Sequence, residues 1–88
     1  MKTFLHDPDA KLTYGFDWSD WLDGETIASS TWIVPTGITA TGENNTDSET
    51  SVMISGVTAK ASFVITNRIT SSTGEIEDRS FIIKGMER

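Results

Sequence analysis

The chain has 88 residues, the length of one small domain, and we expect a single domain over residues 1–88. It contains no cysteine, which excludes disulfides, a thiolate nucleophile and cysteine-ligated metals. Its net charge of −6 at pH 7 argues against nucleic acid as a partner, because an acidic domain repels phosphate backbones.

The N-terminal segment lacks the features of an export signal. Residues 1–8 contain one lysine and no apolar stretch of the kind found in signal peptides. No apolar run in the chain approaches the ~20 residues that a membrane-spanning helix needs. We therefore expect no export and no membrane association, and we expect residues 1–10 to be extended or mobile.

Alternating apolar and polar residues predict the first strands. Residues 11–18 form the first one, in which every second side chain is apolar: Leu12, Tyr14, Phe16 and Trp18. Residues 20–24 predict a turn, because Asp and Gly tolerate the dihedral angles that turns require. A second strand over residues 25–34 carries Trp32 as a candidate core residue. It ends at Pro35, which has no N–H for the strand ladder.

The rest of the chain continues the strand pattern. Residues 42–49 are almost entirely polar and predict a loop, and residues 71–74 predict a hairpin connection. The remaining predicted strands cover residues 37–41, 51–55, 61–70 and 76–84. Short strands separated by turn signals every ~8–12 residues predict an all-β fold, an immunoglobulin-like β-sandwich of about seven strands.

The polar residues do not form a convincing catalytic or metal-binding pattern. His6 is the only histidine, so no base is available for a nucleophilic triad elsewhere in the chain. Asp17, Asp20, Asp23 and Glu25 are close in sequence and of the type that binds Ca²⁺, but their spacing does not match an EF-hand loop. We predict that the protein is not an enzyme and binds no cofactor and no metal.

The aromatic residues before the second strand leave two interpretations open. Trp18 and Trp21 are three positions apart, so a continuing strand would place them on different faces. Either both rings close one end of the sandwich, or one of them reaches the surface and contacts a sugar or a protein. The candidate interaction surface is the turn formed by Trp21, Leu22, Asp20, Asp23 and Glu25.

The charges are also distributed unevenly along the chain. Residues 1–50 carry nine acidic and two basic residues, whereas residues 51–88 carry four acidic and five basic ones. This asymmetry either steers a docking partner or aligns copies of the chain head to tail, or it only keeps a small β-protein soluble. Self-association is therefore one expectation.

Residues 7–22 read Asp-Pro-Asp-Ala-Lys-Leu-Thr-Tyr-Gly-Phe-Asp-Trp-Ser-Asp-Trp-Leu. Gly-Glu-Thr-Ile follows at residues 24–27 and Ser-Ser-Thr-Trp at residues 29–32. This order of motifs resembles a family of small proteins from the structural gene clusters of tailed phages and prophages, described as fibre–tail adaptor proteins. The strand pair at residues 63–67 and 78–82 is similar as well, so the resemblance covers nearly the whole chain.

The resemblance implies an immunoglobulin-like sandwich that acts as a virion component without catalysis. Its partners would be other phage tail or fibre proteins, and it would occur in the virion and, during assembly, in the bacterial cytoplasm. The loop at residues 42–49 is longer and more acidic than the family pattern.

The alternative function is that of a glycan- or cell-surface-binding module that uses Trp18 or Trp21 as a stacking platform. Docking through an unpaired edge strand is a further hypothesis.

Overall fold

The strands of the computed structural model, which describes residues 2–86, form two sheets packed face to face. Within these residues the elements are β1 Lys2–His6, β2 Leu12–Asp17, α1 Ser19–Leu22, β3 Ile27–Ile33, β4 Thr39–Asn45, β5 Glu49–Ser55, β6 Ser62–Ser71 and β7 Ile76–Gly85. The four-stranded sheet has the order β1-β7-β6-β3 and the three-stranded sheet the order β2-β5-β4. Neighbouring strands are antiparallel, except that β1 runs parallel to β7.

The core lies between the sheets, where alternate side chains of each strand point inward. In β6, for example, Ile65, Asn67 and Ile69 are buried while the residues between them are more exposed. The larger core cluster contains Trp32, Val52, Ile54, Val57, Ile65, Phe81 and Ile83. A second cluster of Trp18, Leu22, Ile27 and Ile69 closes one end of the sandwich. The predicted core position of Trp32 is therefore confirmed.

The N-terminal segment, which we expected to be extended or mobile, contains a strand that was not predicted from the sequence. Residues 2–6 form β1, which pairs with β7 from Lys2 opposite Phe81 to His6 opposite Gly85. His6 is fully buried; its Nε2 donates to the Ala10 carbonyl at 2.9 Å, and its Nδ1 accepts from the Tyr14 hydroxyl at 2.7 Å. Residue 1 and residues 87–88 lie outside the described residues.

Two connections and the start of β3 also differ from the sequence-based predictions. The predicted loop at 42–49 is wrong in extent, because β4 continues to Asn45 and β5 starts at Glu49. A bulge between Thr41 and Asn44 lets this polar edge strand stay paired with β5. The predicted turn at 20–24 begins instead as the one-turn helix α1. A second irregularity lies between Ile27 and Ser29, where Ile27 is buried and Ala28 is exposed, although strict alternation would put Ala28 on the same face as Trp32.

Candidate interaction surface at the acidic turn

Helix α1 turns the chain from β2 in one sheet to β3 in the other. The N–H groups of Trp21 and Leu22 both donate to the Trp18 carbonyl at 3.0 Å. Before the helix, the Asp17 carboxylate accepts hydrogen bonds from the Ser19 hydroxyl at 2.6 Å and the Ser19 N–H at 3.0 Å. These bonds favour the charged form, and they lower the pKa of Asp17 below its ordinary value.

The end of the helix is set by a backbone conformation that few residue types adopt readily. Asp23 has a φ of 48°, in the left-handed region, and Gly24 follows with a φ of 91°. Asp and Gly tolerate positive φ better than most other residues, so this pair stops the helix after one turn. The chain then continues into β3 in the other sheet.

Trp18 lies beneath the turn, inside the core. Its ring is fully buried, and its indole N–H donates to Asn67 Oδ1 at 2.9 Å. The same oxygen accepts the Thr50 hydroxyl at 2.7 Å, while Asn67 Nδ2 donates to Ser30 Oγ at 3.0 Å and to the Thr31 carbonyl at 3.1 Å. Asn67 thus links strands from both sheets, and Trp18 is not accessible as a stacking platform.

Arg79 on β7 covers the outer side of Trp18. Its guanidinium carbon is 4.3 Å from the centroid of the Trp18 ring, a cation–π contact. The guanidinium also donates to the Asp17 carbonyl at 3.1 Å and to both carboxylate oxygens of Asp20, at 3.0 and 3.1 Å. The hydrogen bond from Arg79 is the main reason that the pKa of Asp20 is lowered. Arg79 therefore fastens the turn to the four-stranded sheet.

The five residues of the candidate surface do not all reach the surface. Leu22 is only 3 % exposed and packs in the second core cluster, so its placement on the interaction surface is corrected. Trp21 is half-buried and packs edge-to-face on Trp18, with ring centroids 5.8 Å apart. Asp20 and Asp23 are exposed. Glu25 accepts a hydrogen bond from the Thr73 hydroxyl at 2.6 Å, which lowers the pKa of Glu25.

Trp21, Asp20, Asp23 and Glu25 therefore share one end of the molecule, and we call them the acidic turn surface. Two residues hold this surface in place, Arg79 and Asn67, and neither role was predicted from the sequence. The sequence does contain a signal for Asn67. This polar residue occupies an inward position in the alternating pattern of residues 61–69, where a buried amide must find hydrogen-bond partners inside the protein. Nothing in the local sequence indicates the contact between Arg79 and Trp18.

Neither a metal-binding cluster nor a membrane-spanning helix occurs among the described residues. Across residues 2–86, no three His, Cys, Asp or Glu side chains are grouped so that they would hold a metal ion. In the same part of the chain, no helix is long and apolar enough to span a membrane.

Two sheets with this strand order define an immunoglobulin-like β-sandwich. The solution structure of the PKD domain from the KIAA 1837 protein is similar, with a TM-score of 0.65 and 19 % sequence identity. The alignment covers 99 % of this chain and 80 % of that one. The likeness shows the fold, and it confirms the predicted immunoglobulin-like class.

The sequence itself matches a family model described as podophage GP4 fiber-tail adaptor protein gp77, over residues 6–84. The chain belongs to this family of phage fibre–tail adaptor proteins. The resemblance carried by residues 7–32 is thereby confirmed. No curated protein matches the chain in the corresponding comparison.

Proposed function

We propose that the protein is a non-enzymatic structural component of a tailed phage or prophage virion, which connects tail and fibre proteins through protein–protein contacts. The family match over residues 6–84 carries the proposal. We propose that its partners are other phage tail or fibre proteins, and that it occurs in the virion and, during assembly, in the bacterial cytoplasm. Nucleic acid and membranes are not among the proposed partners.

The chemistry of the acidic turn supports a structural role. A catalytic general acid near neutral pH needs a raised pKa, which burial in an apolar pocket provides. Asp17, Asp20 and Glu25 have lowered pKa values instead, because each accepts hydrogen bonds from a neighbouring side chain. These carboxylates stabilise the turn in their charged form.

The acidic turn surface is the first docking surface that we propose. Trp21 offers part of an indole ring, a side chain that often anchors protein interfaces. The charged groups of Asp20, Asp23 and Glu25 surround it and would steer a basic partner. Arg79, Asn67 and the buried Leu22 hold the turn against the core from below.

The outer face of the four-stranded sheet is the second docking surface. Val64, which is 50 % exposed, lies directly opposite Ile82 in the β6–β7 ladder. Ile33 and Leu5 are also exposed, and they lie on the flanking strands β3 and β1. Clustered exposed aliphatic residues are typical of protein interaction sites. An adaptor needs at least two such surfaces, one toward each protein that it connects.

Binding of the purified chain to the tail and fibre proteins of its own phage tests this proposal. We expect a stable complex with at least one of them in size-exclusion chromatography, weakened at least ~10-fold by Trp21→Ala or Val64→Lys. Thr41→Lys, on the outer face of the other sheet, is the control and should bind as the wild type does. If the folded wild-type chain binds none of these proteins, the proposed function is wrong.

A glycan array separates the alternative function from this one. The glycan-binding interpretation now depends on Trp21, since Trp18 is buried. Reproducible binding to a sugar that Trp21→Ala abolishes would favour the alternative. The adaptor proposal predicts that no glycan is bound in this way.

A further inference from the structure

An apolar groove with a basic rim lies beside the end of β7. It has a volume of about 490 Å³ and is lined by Leu5, Lys60, Lys84, Gly85 and Met86. Leu5 is 65 % exposed and Met86 is 42 % exposed, so the apolar surface faces solvent. We call this site the basic groove.

The backbone around the basic groove is held in place by hydrogen bonds. The Met86 N–H donates to the His6 carbonyl at 2.9 Å, which fixes the groove to β1. The Lys60 N–H donates to the Gly85 carbonyl at 3.0 Å, and the Gly85 N–H donates to the Ala61 carbonyl at 2.9 Å. The groove is therefore preformed, and a ligand would bind it without first ordering these segments.

The basic groove and the acidic turn surface lie at opposite ends of the molecule. Strand β7 begins at Ile76, next to the connection whose Thr73 bonds to Glu25, and it ends at the groove with Lys84 and Gly85. Ten residues of strand span about 30 Å, and the longest dimension of the molecule is 45 Å. The two surfaces therefore cannot meet within one chain.

We infer that the basic groove binds the acidic turn surface of a second copy of this chain. The exposed part of the half-buried Trp21 ring would lie against Leu5 and Met86, the apolar side chains that line the groove. The carboxylates around it would face the lysines of the rim, above all Lys84. The inference rests on the proposed function only in treating the acidic turn as a docking surface, and it names the partner of that surface.

The two surfaces match in both charge and polarity. Each has an apolar centre, and the centres carry rims of opposite sign, so that charge steers the approach and the ring contact adds apolar burial. Asp23 is the most suitable acid for this contact, since Asp20 also pairs with Arg79 and Glu25 also bonds to Thr73. This contact would cover Leu5, whereas Val64, Ile82 and Ile33 on the outer face of the four-stranded sheet stay available for tail or fibre proteins.

This contact joins two different surfaces, so each copy can use its acidic turn surface in one contact and its basic groove in another. Such a heterologous arrangement produces a ring when its rotation closes and an open chain of copies when it does not. The expected solution behaviour is a concentration-dependent association that extends beyond a dimer. Because the rims are charged, association should weaken between 0.1 M and 1 M salt, as the Debye length falls from about 10 Å to about 3 Å.

Sedimentation velocity on the full chain tests the inference. We expect Lys84→Glu and Asp23→Lys each to weaken association at least ~10-fold, and we expect the double variant, in which the charges are exchanged, to recover most of it. Lys2→Glu and Glu43→Lys make the same charge changes outside both surfaces and should associate as the wild type does. Equal thermal melting temperatures show that the variants are folded.

Mixing two blocked variants gives a second readout. Lys84→Glu keeps an intact acidic turn, and Trp21→Ala keeps an intact basic groove, so their equimolar mixture should form one-to-one dimers and nothing larger. The inference is overturned if the wild type stays monomeric at ~1 mM, or if exchange of the charges does not restore association. It is also overturned if Val64→Lys abolishes association while Lys84→Glu does not.

These outcomes are separate from those of the proposed function. A chain that stays monomeric but binds a tail or fibre protein contradicts only the inference. A chain that associates as described but binds no tail or fibre protein contradicts only the proposed function.

Discussion

Replacing Asn67 by leucine should remove the hydrogen-bond centre between the two sheets while keeping a side chain of similar size. The amide of Asn67 makes four hydrogen bonds, to Trp18, Thr50, Ser30 and the Thr31 carbonyl. Leucine can make none of them. Trp18 is fully buried and Thr50 is 3 % exposed, so water cannot replace the lost partner of either group.

The expected loss in the free energy of unfolding comes from these two buried donors. A buried polar group without a partner costs about 1–3 kcal/mol, so the Trp18 N–H and the Thr50 hydroxyl together predict a loss of about 2–6 kcal/mol. A domain of this size has a free energy of unfolding of about 4–13 kcal/mol. The variant should therefore lose a large part of its stability, and its melting temperature should fall by more than about 10 °C.

Urea denaturation followed by tryptophan fluorescence measures this loss. Adding Thr50→Val to Asn67→Leu removes one of the two orphaned donors, so the double variant should recover about 1–3 kcal/mol relative to Asn67→Leu alone. Asn44→Ala, at an exposed position on β4, is the control and should change stability by less than about 0.5 kcal/mol. If Asn67→Leu is as stable as Asn44→Ala, the proposed role of Asn67 is refuted.

Two further perturbations test the packing and the charges. Gly15→Ala should destabilise the fold by at least about 1 kcal/mol, because its Cβ would collide with the Thr50 carbonyl oxygen. Ser51→Ala, at the position opposite Gly15, is the control and should change stability by less than about 0.5 kcal/mol. Equal urea midpoints for the two variants would contradict the expected collision. The hydrogen bond from Arg79 lowers the pKa of Asp20 in the folded state, so the unfolded chain binds the proton more readily. That contribution to stability is present above about pH 4 and is lost as the pH falls through the folded pKa. As the pH is lowered into the acid range, the melting temperature of Asp20→Asn should therefore fall less steeply than that of the wild type. An equally steep fall would argue against the Asp20–Arg79 pair.

The sequence was most informative where a strand alternates over many residues. The ten-residue strand β6 and its partner β7 were predicted nearly to their ends, because buried and exposed positions alternate along them. Strand β1 was missed because it has five residues and pairs with a strand about 80 positions away. Its partner Phe81 lies 79 positions after Lys2. No local pattern encodes such a parallel edge pairing.

The position of the turn was predicted from the sequence, but the arrangement of its side chains was not. We had treated residues 20–24 as a turn in which Leu22 faces outward. In the helical turn that forms instead, residues four apart lie on the same side, so Leu22 follows Trp18 into the core. Arg79 was not foreseen because its contact with Trp18 depends on how β7 packs across the end of β2, which is a tertiary relation.

The structure also explains what the Asp-Trp-x-x-Trp-Leu motif at residues 17–22 does in this chain. Trp18 and Leu22 fill the core, and Asp17 holds Ser19 at the start of the helix, so three of the four specified residues form the turn itself. Trp21 is the one specified residue whose ring is partly exposed. The motif therefore identifies how this end of the sandwich is built, while the proposed recognition of a partner would depend on Trp21 and on the acidic residues around it. A binding defect in Trp21→Ala with an unchanged fold would separate these two roles, which a substitution of Trp18 or Leu22 cannot do, because both side chains are part of the core.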